Sequence, residues 1–131
     1  MNLISLNTIY TYTEALNKSD SPNSNTFNKQ IIYIPKHKFR SGLELSFYRF
    51  NLRTDFTFTG ESFFTSDNSP FNKLEPYFLI DQSVTYNLSL FGYKSILSFT
   101  VYNLFNEEYL IVQSYPMPLR SFNFGFQINF N

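Results

Sequence analysis

Apolar and polar residues alternate along six segments of this 131-residue chain, and this alternation constrains the fold more than any other feature. Successive side chains of a β-strand point to opposite faces, so a period of two predicts a strand with one apolar face. The clearest segment is 121–130, where Phe or Ile occupies every even position and Ser, Asn, Gly or Gln every odd one. The sequence therefore predicts an all-β, antiparallel fold.

The composition agrees with this prediction and excludes several classes of function. Aromatic residues make up 21% of the chain, with 17 Phe and 10 Tyr, and such residues favour pleated, half-buried surfaces. The formal net charge is zero, so the chain lacks the basic footprint of a nucleic-acid-binding protein. No cysteine is present, which excludes disulfides and thiolate metal sites within it. No apolar run approaches the roughly 18 residues that a membrane helix needs.

Long and short connections alternate between the predicted strands. The strands are expected at about 3–15, 38–48, 51–58, 77–90, 97–102 and 121–130. The long connections are 16–36, 66–76 and 103–119, and the short ones are 49–50 and 91–94. Transmembrane barrels have long extracellular loops and short periplasmic turns. The pattern therefore places the three long loops outside the cell and the two short connections in the periplasm.

The first hairpin is predicted to bring like faces of its two strands together. A connection near Arg49-Phe50 pairs Tyr48 with Asn51, Phe47 with Leu52, Ser46 with Arg53 and Glu44 with Asp55. In this register Glu44 and Arg53 are diagonal neighbours within reach of an ion pair. The hairpin therefore carries one largely apolar face and one charged face.

Strand length favours a membrane sheet over a soluble one. Most predicted strands have about 10–14 residues, whereas globular strands have a mode near 5–6 and tilted membrane strands need about 9–11. Aromatic residues, Tyr77 and Tyr109 among them, gather at the strand ends, as interface girdles do. Six strands are fewer than the eight of the smallest single-chain barrels, so we expect a segment of a larger barrel. The start, 1–12, lacks the basic and apolar regions of a secretory signal, which fits the same expectation.

The carboxy-terminal part resembles the TonB-dependent outer-membrane receptors. Val101–Tyr109 reads VYNLFNEEY and Ser114–Phe122 reads SYPMPLRSF, similar to the Asn-Leu-Phe-Asp-x-x-Tyr and Tyr-Pro-x-Pro-Gly-Arg stretches of that family. Ile32–Phe39 and Leu79–Asp81 resemble earlier segments that enter the barrel. The departures are Asn106 for the usual Asp, Leu119 for the usual Gly, and Asn131 after the terminal aromatic residue.

This resemblance implies a 22-stranded barrel in the outer membrane of a Gram-negative-type bacterium, plugged by an amino-terminal domain. Residues 1–131 would be its carboxy-terminal part, the last six strands, with no plug domain in this chain. Such a receptor imports a scarce nutrient (an iron chelate, haem, cobalamin or an oligosaccharide) with energy from the TonB complex. Two alternatives remain open: a small outer-membrane barrel with a structural or adhesive role, and a soluble ligand-binding β-barrel.

The sequence offers no catalytic motif, so we expect no enzyme and no cofactor. His37, the only histidine, is interpreted as a rim residue, because a metal site would need a second ligand at suitable spacing. A set of four charged residues is interpreted as a ladder on the wet face rather than an acid–base pair: Arg40, Glu44, Arg53 and Asp55. Glu107-Glu108 is expected at a solvated loop edge. The sequence does not identify ligand-binding residues; any contact would come from the three long loops and the polar face, with Ser19–Asn28 and Tyr109–Tyr115 as candidates.

Overall fold

The structure, a computed structural model, describes residues 3–130 and contains one large antiparallel sheet with two small ribbons. Its six long strands follow in the order β1-β2-β3-β6-β7-β10, in which every strand pairs with the next long strand along the chain. The strands are β1 (Leu3–Tyr12), β2 (His37–Phe47), β3 (Phe50–Thr59), β4 (Ser62–Phe63), β5 (Lys73–Leu74), β6 (Tyr77–Leu90), β7 (Tyr93–Tyr102), β8 (Leu110–Val112), β9 (Tyr115–Pro116) and β10 (Ser121–Asn129). The prediction of six long antiparallel strands is confirmed.

Within residues 3–130 no helix has the length and apolar character needed to span a membrane. The ribbons β4–β5 and β8–β9 lie in two of the long connections and were not predicted. The connections between the long strands, termed the first, second and third loop, comprise 13–36, 60–76 and 103–120. They share one end of the sheet, the loop end, and the short turns between β2 and β3 and between β6 and β7 share the other, the turn end.

One face of the sheet is apolar across all six strands. At a single level of the ladder the paired residues are Ile4, Leu45, Leu52, Val84, Phe99 and Phe124. The next residue along each strand points to the opposite face, where the corresponding level is Ser5, Glu44, Arg53, Ser83, Thr100 and Asn123. The predicted separation into an apolar and a polar face is therefore confirmed, and it is continuous from β1 to β10.

The apolar face has no partner within the described chain. Leu74 and Pro35 are the only apolar side chains of the described residues that are buried in the manner of core residues, and both lie in loops, not on the sheet. On the sheet itself Ile4 is 74% exposed and Phe124 is 72% exposed. Burial of such side chains stabilises a fold by about 1.5–3 kcal/mol each relative to leaving them in water. A sheet that leaves a whole face uncovered needs an apolar surrounding.

The strand ends are staggered across the sheet. At the turn end, β3 begins level with Tyr86, whereas its neighbour β6 continues to Leu90. At the loop end, β7 stops level with Asp81, whereas its neighbour β6 extends to Tyr77. From β1 to β10 both ends shift by about four to five residues over five strand spacings, which corresponds to a tilt of about 30–35°. Closed barrels require a tilt of this kind, near 35–45°.

The first hairpin turns one residue earlier than predicted. The turn is Tyr48-Arg49, so that Phe47 pairs with Phe50 and Leu45 with Leu52. The predicted pairs of Tyr48 with Asn51 and of Phe47 with Leu52 are wrong. The physical reason is that Tyr48 adopts a left-handed conformation, φ 57°, which closes a two-residue turn without an Asn or Gly. The error is two residues in register and leaves each side chain on its predicted face.

The revised register changes the charge pairing on the polar face. Glu44 lies opposite Arg53 rather than Asp55, and Ser46 lies opposite Asn51. The predicted diagonal placement of Glu44 and Arg53 is wrong, because the two residues are directly opposite each other. Arg53 forms a bidentate pair with Asp55 at 2.7 Å, and Glu44 accepts a hydrogen bond from Asn51 Nδ2 at 2.5 Å. Both members of the Arg53–Asp55 pair are substantially exposed, so it contributes about 0–1 kcal/mol.

Gly42 explains why Asp55 can take this position. The two residues are cross-strand partners, and a Cβ atom on residue 42 would lie 3.0 Å from Asp55 Oδ1. The missing side chain leaves room for the carboxylate to turn along its own strand towards Arg53. The pairing was not evident from alternation alone, because alternation specifies the face of a residue but not its cross-strand partner.

The remaining strand boundaries differ slightly from the predictions. The second hairpin turns at Phe91-Gly92, with Leu90 paired to Tyr93, which is two residues tighter than the expected connection 91–94. Strand β1 ends at Tyr12 instead of residue 15, although Thr13 N still donates to Lys36 O at 2.8 Å. Asn131, the predicted departure after the terminal aromatic residue, lies outside the described residues.

Candidate functional site

The polar face of the sheet leads to a set of loops at the loop end. A cavity of about 320 Å³ opens on this face between β2, β3 and β6, and Lys38, Arg40, Thr57 and Asp81 are among its lining residues. A second cavity of about 610 Å³ lies between the second and third loops. Tyr77 and Tyr109 line both cavities. These two spaces form the candidate site.

The first and second loops are joined by a buried glutamine. Gln30 is 5% exposed, and its backbone N–H donates to Asn68 Oδ1 at 2.7 Å while its C=O accepts from Asn68 Nδ2 at 2.9 Å. The Gln30 side chain binds the backbone of its own loop, donating to Thr13 O and Ile34 O and accepting from Ala15 N. A polar group this deeply buried needs such partners, so the two loops form a defined wall.

A second polar corner fixes the start of the third loop. Asn103, also 5% exposed, has φ 51°, a left-handed conformation in which Asn is enriched. Its amide group donates to Glu107 O and accepts from Glu107 N, both at 2.8 Å, and its backbone N–H donates to Asp81 Oδ1 at 2.8 Å. Asn106 then accepts from Arg120 N at 3.0 Å, which ties the two ends of the loop together.

These contacts give a physical reason for the first part of the motif that carries the resemblance. Asn103 and Asn106 belong to the Asn-Leu-Phe-Asn stretch, and each uses its side-chain oxygen to hold a backbone N–H of the third loop. An Asp at position 106 could accept the same bond, which is consistent with the usual residue of the family. Leu119 is 45% exposed and lines the larger cavity, and nothing in the structure explains the absence of Gly there.

Tyr77 and Tyr109 stand between the two cavities. Their ring centroids are 4.6 Å apart and the planes are inclined by 37°. Burial raises the pKa of the Tyr109 phenol above its ordinary value, and the nearby Tyr77 and Asp81 raise it further. The Tyr109 hydroxyl therefore stays protonated across the physiological range and can donate a hydrogen bond to a ligand. Tyr77 and Tyr109 were grouped with the outer aromatic girdle, and their place on the wet side corrects that interpretation.

Other charged and aromatic residues predicted from the sequence take identifiable positions. Glu108 is exposed at the larger cavity, and Glu107 is partly covered at the corner that Asn103 forms. His37 begins β2 on the apolar side, where its Nδ1 lies 2.8 Å from Tyr10 Oη and its ring lies 5.4 Å from that of Tyr12. The interpretation of His37 as a rim residue is consistent with this position.

The two segments expected to contact a ligand differ in how they use their polar groups. Within Ser19–Asn28 several side chains are bound inside the first loop: Asp20 accepts from Asn17 and Thr26, and Asn28 accepts from Lys18. Tyr109–Tyr115 instead borders the cavities through Tyr109, Leu110 and Gln113. Among the described residues, no three His, Asp or Glu side chains come close enough together to hold a metal ion.

Comparison with known proteins identifies the family. A family model described as TonB dependent receptor-like, beta-barrel, matches residues 2–104. The chain belongs to this family. A solved structure, the ferric preacinetobactin receptor BauA from Acinetobacter baumannii, superposes with a TM-score of 0.81 at 13% sequence identity and covers 95% of this chain. No curated protein matches the sequence.

The chain spans only 20% of the length of that receptor. At 13% identity the superposition shows the fold, and the unclosed sheet of six strands is one section of a TonB-dependent receptor barrel. Proteins of this family are receptors and transporters of the Gram-negative outer membrane rather than enzymes. The predicted relation to the TonB-dependent receptors is therefore confirmed by the family model over residues 2–104 and by the fold.

Proposed function

We propose that this chain provides the last six strands of an outer-membrane receptor that imports a scarce nutrient through a barrel of about 22 strands. The observation that carries the proposal is the continuous apolar face of the sheet, which finds no partner within the described residues. Lipid supplies an apolar surrounding on one side, and a water-filled lumen suits the polar side.

The free edges of the sheet support a larger barrel. β1 and β10 each pair with one neighbour, and neither Leu3–Tyr12 nor Ser121–Asn129 contains a charged residue. Proteins commonly protect exposed sheet edges with charges or proline, and in lipid every strand must be paired. Two uncharged edges are therefore suited to pairing with further strands of the same barrel. The other partners in this proposal are a plug domain in the lumen and the TonB complex, which binds outside this chain.

The candidate site gives the imported ligand a path along the wet face. The larger cavity is open at the loop end, and the smaller one continues along the polar face beside Lys38 and Arg40. Tyr77 and Tyr109 lie where the two spaces meet and offer an aromatic surface with hydroxyl groups. Iron chelates, haem, cobalamin and oligosaccharides all present groups that such a surface can contact.

A soluble barrel fits these observations less well. It would need the apolar face to line its interior, but the cavities on the sheet open on the opposite, polar face. Expression without detergent tests this alternative. A monodisperse soluble monomer would exclude the membrane proposal.

Uptake by cells tests the transport role. The gene containing this chain is deleted, and uptake of labelled ferric chelates, haem, cobalamin and oligosaccharides is compared with and without a protonophore. We expect one energy-dependent uptake to disappear and to return with the wild-type gene. A protein that reaches the outer membrane while every uptake is unchanged would contradict the transport role. Reading the coding sequence upstream of residue 1 adds a further test, because a receptor requires a plug and additional strands in frame.

A further inference from the structure

The two short turns share an unfavourable feature that packing within the chain does not explain. Tyr48 and Phe91 each occupy the first central position of their turn with φ 57° and 53°, where Asn, Asp or Gly is usual. A large aromatic residue in the left-handed region is strained. Their side chains are 85% and 96% exposed, so neither ring is packed into the described chain, and Tyr48 contacts only the neighbouring Arg49 guanidinium. Two separate hairpins carry the same costly choice, which points to an external partner.

The depth of the turns indicates where that partner lies. With a rise of about 3.3 Å per residue and the tilt derived above, Tyr48 lies about 17 Å from the mid-height of β2. By the same measure Phe91 lies about 20 Å from the mid-height of β6. The apolar band of a barrel ends about 12 Å from the middle of the bilayer, and the headgroup layer extends to about 20–22 Å. Both rings therefore reach the headgroup layer.

Charge at the turn end suits an anionic surface. The only charged residues in 45–52 and 84–99 are Arg49 and Lys94, and all ten carboxylates of the chain lie elsewhere. The Arg49 guanidinium lies 5.9 Å from the centre of the Tyr48 ring, and Lys94 is exposed near the second turn. Basic residues near a membrane surface attract anionic lipids. An aromatic ring beside a cation can enter the glycerol region while the cation meets a phosphate.

We propose that the turn end, formed by Tyr48, Arg49, Phe91 and Lys94, is a binding site for phospholipid phosphate groups in the periplasmic leaflet of the outer membrane. The proposal rests on the proposed function for its orientation. The occupant is lipid rather than a periplasmic protein, because the rings lie at headgroup depth and continue the apolar face through Phe47 and Phe50.

Asparagine substitution separates the loss of the rings from any damage to the turns. Asn is favoured at positive φ, so Tyr48→Asn and Phe91→Asn remove each ring while preserving the turn. Arg49→Gln and Lys94→Gln remove the charges. The matched control is Phe71→Asn, which removes an aromatic side chain that is 93% exposed at the opposite end of the sheet.

The receptor that contains the chain is purified in an uncharged detergent, and binding of phosphatidylglycerol and phosphatidylcholine is measured by native mass spectrometry. We expect phosphatidylglycerol to bind more tightly than phosphatidylcholine, and each Gln substitution to weaken its binding about fivefold. Both turn variants should lose affinity for either lipid, and the Phe71→Asn control should match the wild type. Unchanged lipid binding in the turn and charge variants would overturn the proposal. The proposal would also be overturned if these variants kept their lipid binding but lost a chemical cross-link that the wild type forms to a periplasmic protein.

Two controls distinguish a failure of this site from a failure of the proposed function. All variants should insert into the outer membrane and support wild-type uptake, because none of the substituted residues lines the candidate site. Whole cells are also labelled with a membrane-impermeant maleimide on Phe71→Cys and Arg49→Cys variants, because both side chains are exposed, Phe71 at the loop end and Arg49 at the turn end. Labelling of Phe71→Cys alone supports the orientation, whereas labelling of Arg49→Cys alone would overturn the orientation and the lipid site with it.

Discussion

The substitution Phe124→Lys tests the assignment of the apolar face to lipid. Phe124 is 72% exposed on that face and adjoins Gly125, the middle residue of β10. It therefore lies within about 3 Å of the mid-height of the strand. A lysine on the lipid face near the bilayer midplane destabilises a barrel by about 2–4 kcal/mol, which is the result expected here.

Two matched substitutions separate depth from face. Asn123→Lys introduces the same charge one residue away on the polar face and should be much milder, because the ammonium group remains in water. Phe130→Lys introduces the charge on the same apolar face as Phe124→Lys, but about 17 Å closer to the turn end than Phe124. There the expected destabilisation falls to about 0–1 kcal/mol. The three variants differ in location rather than in the residue introduced.

Stability is measured by urea titration of the receptor in phospholipid vesicles, with the folded fraction followed by heat-modifiable migration on gels. The expected order of destabilisation is Phe124→Lys, then Phe130→Lys and Asn123→Lys. Near-neutral behaviour of Phe124→Lys, or an equal cost for Asn123→Lys, would refute the face assignment. Equal costs for Phe124→Lys and Phe130→Lys would refute the depth derived from the strand length.

Three further predictions concern local contacts. Asn103→Ala removes both hydrogen bonds to the Glu107 backbone and should destabilise the third loop by about 1–3 kcal/mol, measured by protease cleavage of that loop. Asn103→Asp should have an intermediate effect, because it keeps the acceptor oxygen. Gly125→Ala places a Cβ 2.4 Å from Ser98 Oγ and should lower the free energy of unfolding by about 1–3 kcal/mol in urea titration. Adding Ser98→Ala should relieve this loss, and additive losses in the double variant would contradict the clash. Hydrogen bonds from Thr65 Oγ1 and Ser69 N hold the pKa of Asp67 below its ordinary value. These bonds therefore stabilise the loop fully at a pH above the ordinary pKa of Asp, and this stabilisation is lost as the pH falls through the lowered pKa of the folded state. Carbon-13 NMR of the Asp carboxyl groups should show Asp67 titrating below its usual range and shifting upwards in Thr65→Val, whereas an ordinary midpoint in the wild type would refute it.

Alternation predicted the faces of the sheet because it depends only on the geometry of a strand. The assignment of Phe124 outward and Asn123 inward follows from a period of two, and an error of two residues in register leaves it unchanged. The same period does not specify which residues pair across two strands, and for this reason the predicted pairing of the first hairpin was wrong. The turn at Tyr48-Arg49 uses a tyrosine with positive φ, which residue preferences argue against, so no local signal in the residues predicted it.

The candidate site was less accessible to prediction, because its residues come from separate loops. Gln30 and Asn68 are 38 positions apart, and neither belongs to an alternating segment. Tyr77 begins β6 next to Phe78, and only its parity with Asp81 indicated that it faces the polar side. Asn103 was within the motif that carried the resemblance, but its structural role depends on a loop conformation that periodicity does not describe.

In the proposed closed barrel, one face of this sheet contacts lipid and the other contacts water. Because the chain contains no cysteine, single Cys substitutions along β10 can carry a spin label on the receptor in vesicles. Collision with oxygen, which partitions into lipid, is compared with collision with a water-soluble nickel chelate at positions 122–127. We predict an alternation, with oxygen favoured at 122, 124 and 126 and nickel favoured at 123, 125 and 127. Equal accessibility along the strand, or nickel favoured at the Phe positions, would contradict the account.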